Sequence, residues 1–560
     1  MPSSSHKTTL FRNRYNVIHQ RLLRNELFQS SAVATTKGAP SLKRSSSSGL
    51  TSQQTHKITP IANLLGRHGT HHMLLGMLSF LPTGNLAIND LTGTISLELS
   101  HAVAIPEDSA WFTPGMIILA DGIYEEEEES IGKGLGASNG IGGVIGGRFQ
   151  AFFVGQPPCE KRKATLGISG VDGGQDHTAG GGFGWIDFLG VGSERAVGSK
   201  MRKVERRLLQ QARDDPDLHS RSRIIIVGEL NLDQPRALHA LRKILTTYAM
   251  EPEGSSPMTF VLTGNFTQHA VMAGGGASGG SVEYKEYFDS LASVLTDFPT
   301  LLQSSTFVFV PGDNDGWASS FSSGAAAPLP RKAVPDIFTS RIRRAFATVN
   351  TEAGAHHGAG GEAIWTSNPA RLSVFGPSHE IVLFRDDMSA RLRRTAVRLK
   401  NSASSNSNLE DRENETSPNQ AGSHSAQSPN DDDIEMASAL EHTDNLDSAV
   451  NNTSKPKAPD IPHDVRTARR LVKTVLDQGY LCPFRHAIRP VHWDYASALH
   501  LYPLPTALVL VDTTAPPFAI TYEGCHVMNP GPMLVTGRRG VARWIEYELG
   551  GTGRVRECMF

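Results

Sequence analysis

The chain has 560 residues, more than one hydrophobic core usually spans, so two or more domains are expected. With 54 basic against 56 acidic side chains and a formal net charge of −2, it is not a protein whose whole surface binds nucleic acid, although a local basic face is allowed. Cys159, Cys482, Cys525 and Cys558 form no Cys-x-x-Cys pair, which argues against a disulfide framework and against a cysteine-built zinc site. No run approaches the roughly 18 apolar residues of a membrane helix, and the first residues lack a signal-peptide core, so the chain reads as soluble and intracellular.

Between 11 and 28, Tyr15, Ile18 and Leu22, with Leu23 and Leu27 on the adjoining side, recur at three- and four-residue spacings among arginines, which predicts an amphipathic helix that docks on something. Residues 29–54 turn to Ser, Thr, Lys and Gly and read as a flexible tether. Short β-rich runs follow at 73–78, 86–88, 94–99 and 116–119, with a turn over 89–93, and predict a small antiparallel barrel. The interval 125–147 is acidic and then Gly-rich, an insertion in a barrel loop before the apolar run 149–154. Gly-rich sequence, 185–189, a basic cluster at 200–207 and a helix over 204–212 lead to the strand 224–227. The cluster fits a solvated helix face better than an import signal.

From there the rhythm is strand, helix 235–250, strand 259–262, helix 284–295, strand 306–310, the pattern of an α/β sheet with helices on its faces. Residues 401–460 are Ser, Asn, Asp, Glu and Gln with almost no aliphatics, which predicts a disordered insertion. A helix over 465–478 closed by Gly479 and a strand at 507–511 then complete the sheet.

The strands end in Gly-containing turns at 228–233, 264–267 and 311–315, where α/β folds place chemistry. A two-metal phosphoesterase of the calcineurin type needs carboxylates and imidazoles there to hold an ion pair. This chain carries Glu229 and Asn231 in the first motif, Asn265 for the bridging Asp of the second, and Asp313 and Asn314 for the Asn and His of the third. The last motif, Gly524-Cys525-His526-Val527, offers one His out of register. Amides bring no charge to offset two divalent ions, so neither metal nor catalysis is expected at these degenerate positions. The rival reading makes Glu229, Asp233, Asp313, Asp315 and His526 a variant metal centre; carboxylates at turns more commonly cap helices and satisfy backbone donors. The pairs His71-His72 and His356-His357 point to different faces, and Asn139–Gly143 lacks the Lys-Ser/Thr of a phosphate loop.

A barrel followed by a ligand-stripped phosphoesterase-like domain resembles the B-subunit family of the replicative DNA polymerases. Segments similar to its epsilon type include 10–15 with 20–28, whose packing anchors would be Tyr15 and Phe28, then 89–97, 309–315, 366–371, 380–388, 476–483, 493–495, 502–505 and 529–531. The resemblance implies an oligonucleotide-binding (OB) barrel fused to an inactive calcineurin-like phosphoesterase α/β sandwich, without cofactor, in the nucleus. It partitions the chain into 1–57 helix and linker, 58–160 barrel, 161–220 connector, 221–400 and 461–560 phosphoesterase-like, and 401–460 insertion. Its implied partner is the catalytic subunit of DNA polymerase epsilon, gripped at a zinc-bearing C-terminal domain, with DNA reached mainly through the complex and no membrane. A small helical domain contacting the replicative helicase and GINS assembly would precede Leu10 in that type, and the residues before Leu10 are too few to form it. The alternatives are the delta or alpha B-type protein, a divergent metal-dependent phosphoesterase, and a single-strand binder built on residues 58–160. For the last, the barrel strands offer few aromatics and the loop carries Glu125 to Glu129.

Overall fold

The computed structural model describes residues 4–28, 56–107, 109–126, 143–166, 222–252, 254–270, 280–316, 326–354, 360–374, 379–399 and 461–560. The predicted tether 29–54, the segments 185–189, 200–207 and 204–212, the pair His356-His357 and the insertion 401–460 lie outside the described residues, as do 127–142 of the barrel loop.

Helix α1 runs Ser4–Arg24 and thus begins before the predicted start. Nothing among residues 4–10 breaks a helix, and Leu10 gains burial in the large core by continuing it. Tyr15, Ile18 and Leu22 pack with Leu75 and Ile117 of the barrel, and Phe28 closes the same cluster from its edge. Each such buried side chain contributes about 1.5–3 kcal/mol relative to exposure. Leu23 and Leu27 face solvent, so the predicted second apolar side is not used here.

The barrel strands are β1 (His71–Phe80), β2 (Leu86–Asn89), β3 (Thr94–Glu98), β4 (Val103–Ile105), β5 (Ile117–Glu125) and β6 (Val144–Gly155). β1 pairs antiparallel with β2 and β5, β2 with β3, and β5 with β6; β6 then returns parallel to β3 and closes five strands. β4, three residues laid parallel on β6, is too short to leave a periodic signal in sequence. The predicted insertion is narrower than 125–147, because Glu125 still pairs with Arg148 across the ladder and through a 2.7 Å ion pair.

After the short α2 (Arg162–Leu166), the second lobe contains two sheets, where the strand–helix rhythm alone reads as one. The first has the order β10-β9-β8-β7-β16-β17, formed by β7 (Arg223–Val227), β8 (Thr259–Thr263), β9 (Thr306–Val310), β10 (Ala363–Trp365), β16 (Val541–Glu548) and β17 (Gly553–Met559). The second has the order β11-β12-β13-β15-β14, formed by β11 (Ala370–Val374), β12 (His379–Arg385), β13 (Ala507–Val511), β14 (Phe518–Tyr522) and β15 (Cys525–Asn529). The predicted strand 507–511 is therefore the centre of the second sheet, and only the hairpin β16–β17 returns to the first. Both sheets are buried on both faces, so their central strands read as continuous apolar runs that cannot say which sheet they join.

The sheets meet through Ile224, Ile226, Val308 and Val310 against Ile381, Leu383, Val509 and Val511. Alternate residues Ile225 and Val227 face the opposite way, toward α3 (Pro235–Ala249), α4 (Ser281–Thr296), α5 (Pro299–Ser304) and α6 (Asp336–Glu352). Helix α7 (Met388–Thr395) follows β12. Helix α8 (His463–Gln478) lies between the second sheet and the barrel, and Gly479 at φ 59° ends it as predicted. At its last residue Gln478 takes the Ile117 N–H at 3.0 Å and donates to Ile117 O at 2.6 Å and to Gln156 Oε1 at 2.5 Å. Those partners all belong to the barrel side of a buried seam.

Candidate functional site

Parallel pairing brings the carboxyl ends of β7, β8 and β9 together, and likewise those of β12, β13 and β15. The loops that follow converge. Glu229 adopts a left-handed φ of 35°, held by its N–H on Thr263 Oγ1 at 3.2 Å and by its carboxylate, which accepts from Asn265 Nδ2 at 3.1 Å. Asn231 Nδ2 donates to Asn265 O at 2.8 Å, and Asn314 N–H to Asn265 Oδ1 at 3.0 Å. Packing is so close that a side chain at Gly264 would strike Asp315, and one at Gly312 would strike Asn265. Asp315 lies beneath the turn and accepts from the N–H groups of Phe266 and Gly312. Burial outweighs those donors and pushes its pKa up to about 6. Asp233 ties the neighbouring loop by accepting from the Gln268 N–H at 2.9 Å.

Three guanidinium groups fill the space among these acids. Arg489, fully buried, reaches Asp313 Oδ1 at 2.5 Å and Asp386 Oδ1 at 2.9 Å. Arg391 pairs with Asp386 and stands 3.8 Å from Asp313 Oδ2. Arg385 reaches Glu229 Oε1 at 3.3 Å and Asp387 Oδ1 at 3.0 Å. Burial alone would lower the pKa of Arg385, but Asp387 and Glu229 outweigh it and hold the guanidinium firmly charged. Burial pushes Asp387 up, yet Arg385 and the Thr513 hydrogen bonds bring it below the ordinary carboxylate range. On the second sheet, Asp512 takes the Ser389 N–H at 2.6 Å, and Asn529 Oδ1 takes those of Asp512 and Gly531.

A two-metal centre does not fit this arrangement. Divalent ions require free oxygen or imidazole ligands of net negative charge, and Glu229, Asp313, Asp386 and Asp387 are spent on three guanidiniums. Among the described residues no three His, Cys, Asp or Glu side chains converge as ligands. The last predicted motif lies elsewhere. Cys525 and Val527 are buried in the core under the barrel, and His526 bonds Thr521 Oγ1 at 2.8 Å. The residue of β15 at the strand-end site is Asn529, roughly 13 Å along the strand from Cys525. Glu229, Asn231, Asn265, Asp313 and Asn314 are brought together; Cys525, Val527 and His526 are not.

Sequence reasoning missed Arg385, Asp386, Asp387, Arg391, Arg489, Asp512 and Asn529. One signal was present: the charged triplet Arg385-Asp386-Asp387 closing the apolar run 381–384. Arg489 left none, because it approaches from an irregular loop.

Residues 224–520, which carry every acid and guanidinium of the cluster, match the family model for the B subunit of DNA polymerase alpha/epsilon. The chain belongs to that B-subunit family. Residues 4–158 match the model described as DNA polymerase epsilon subunit 2-like, OB-fold domain, so this family member's barrel is an OB fold. The DNA polymerase epsilon B subunit of Saccharomyces cerevisiae is 30% identical over 571 residues, covering 100% of this chain and 70% of the relative. The Schizosaccharomyces pombe protein of that name is 29% identical, covering 96% and 68%, and mouse DNA polymerase epsilon subunit 2 is 25% identical, covering 95% and 72%. The chain thus spans about two thirds of the length of these relatives.

Proposed function

We propose that this chain is the non-catalytic accessory subunit of DNA polymerase epsilon and serves as an assembly scaffold for the catalytic subunit in nuclear DNA replication. The observation that carries the non-catalytic part is the guanidinium cluster at the strand ends. Its sheets, loops and helices are those of a calcineurin-like phosphoesterase sandwich, divided between 221–400 and 461–560, in which Arg385, Arg391 and Arg489 neutralise the acids that an active relative would offer to metal. Degenerate positions Glu229, Asn231, Asn265, Asp313 and Asn314 then act as structural ties. The epsilon assignment is supported by the names of the relatives. The partner contact is read as a grip on the zinc-bearing C-terminal domain of the catalytic subunit, with the zinc belonging to the partner; the helicase and GINS assembly is a further contact of the complex.

The test is a pull-down in which this chain is the bait and the C-terminal domain of the same organism's epsilon catalytic subunit is the prey, with the delta and alpha counterparts in parallel. Selective copurification with epsilon is expected. Capture of delta or alpha alone would move the chain to another polymerase. Manganese-dependent phosphodiester hydrolysis abolished by Asp313→Asn and Glu229→Gln would overturn the non-catalytic reading.

A further inference from the structure

One surface away from the strand ends combines exposed aromatic rings with cations that have no other charge partner. It forms where β1 ends, where α1 begins, and where the loop after α8 enters the 3-10 turn Trp493–Leu499. Phe80 is 44% exposed, and the Arg485 guanidinium lies over its ring, 5.3 Å from the centroid. Next in the chain, His486 meets the half-buried Trp493 edge-on at 6.0 Å, and Lys7 Nζ stands over the same ring at 5.8 Å. Tyr495, 64% exposed, packs edge-on against His492 at 6.4 Å. Among the described residues neither Arg485 nor Lys7 makes an ion pair, and the Tyr495 hydroxyl makes no hydrogen bond.

Rings this exposed gain little from the fold that holds them, so their contribution is to what they meet. Lys7 and Arg485 bring two positive charges against Asp494 on the same turn; His486 stays neutral, since burial, with Lys7 and Arg14 nearby, lowers its pKa. An acidic peptide would satisfy the cations but not the exposed ring surface of Phe80 and Tyr495. A single-stranded nucleic acid satisfies both, because every nucleotide carries a flat base and an anionic phosphate, and this surface likewise alternates ring and cation. We infer that this surface binds a single strand of nucleic acid, its bases stacked on Phe80 and Tyr495 and its phosphates on Lys7 and Arg485. The inference is independent of the scaffold reading, and it uses a different part of the molecule from the barrel interior.

Fluorescence anisotropy of a labelled oligo-dT strand titrated with the full chain tests it. Binding that weakens at least about fivefold in Tyr495→Ala and again in Phe80→Ala is expected from the loss of stacked bases. In the double variant Lys7→Gln with Arg485→Gln, the slope of log affinity against log salt should flatten by about 1.4, two phosphate contacts at the single-strand value. Because Tyr495 and Phe80 are exposed, circular dichroism and the urea midpoint should match wild type in both single variants. No measurable binding overturns the inference. So does binding that these variants leave intact while Arg148→Gln on β6 of the barrel removes it. Loss of a copurifying protein in Tyr495→Ala with unchanged oligonucleotide affinity also overturns it and makes the surface a protein interface.

Discussion

The strand-end cluster and the barrel seam both join segments far apart in the chain, and they do so with opposite chemistry. At the strand ends, Arg385, Arg391 and Arg489 balance Glu229, Asp313, Asp386 and Asp387 in a largely buried charge network whose rim, Glu229 and Asp387, is partly exposed. At the seam, Gln478 joins α8 to β5 through neutral hydrogen bonds inside apolar packing. Buried charges are costly to desolvate, and a network of them is stable only while every member is present. Neutral groups surrounded by apolar contacts lose less when one is removed. The first device therefore suits a site whose geometry must not change, and the second a docking surface between domains.

Arg489→Ala puts the most weight on this contrast. It leaves Asp313 and Asp386 to share Arg391, one guanidinium against two buried carboxylates, and a loss of about 3–5 kcal/mol is expected in urea unfolding of the full chain. Arg489→Lys should recover only part, since an ammonium cannot serve two carboxylates as a planar fork does. Gln478→Ala should cost less, about 2 kcal/mol, for the orphaned Ile117 groups. Equal losses at the two sites would erase the distinction. Acid pH separates the two sites further. Asp387 lies below its ordinary pKa, so its stabilisation is present above the unfolded value of about 3.9 and is lost as pH falls below it. The wild-type urea midpoint should thus drop more steeply than that of Asp387→Ala between about pH 5 and pH 3, whereas the deficit of Gln478→Ala should stay constant over the same range. The smallest expected effect is that of chelation: with the acids neutralised internally, EDTA or added manganese should shift Tm by less than about 1 °C. A larger manganese stabilisation would mean that the guanidiniums leave room for an ion.

Much of the fold was legible because it rests on local periodicity. Tyr15, Ile18 and Leu22 announce a helix with one buried side, and the apolar runs at 224–227, 259–262 and 306–310 announce strands. Gly479 announces a helix end because it can adopt a left-handed backbone without strain. The start of α1 is not legible, since residues 5–9 are exposed and carry no periodic signal; only the burial of Leu10 against distant residues explains it. The strand-end turns were legible as loops that converge, and Asn265 and Asn314 do meet there. Motif spacing alone points to Cys525 and Val527, and the strand they belong to carries them to the other end of the sheet.

Consecutive residues were enough to establish the succession of barrel, strands and helices and the kinship to the polymerase B subunits, because each is written locally. Three features came from the folded chain instead: two sheets share the strands, Asn529 takes the place expected of Cys525, and Arg385, Arg391 and Arg489 occupy the space among the acids. Sheet membership and charge pairing are settled by parallel pairing and loop closure between residues more than a hundred positions apart, such as Asp313 and Arg489, whose attraction leaves no periodic trace in either segment.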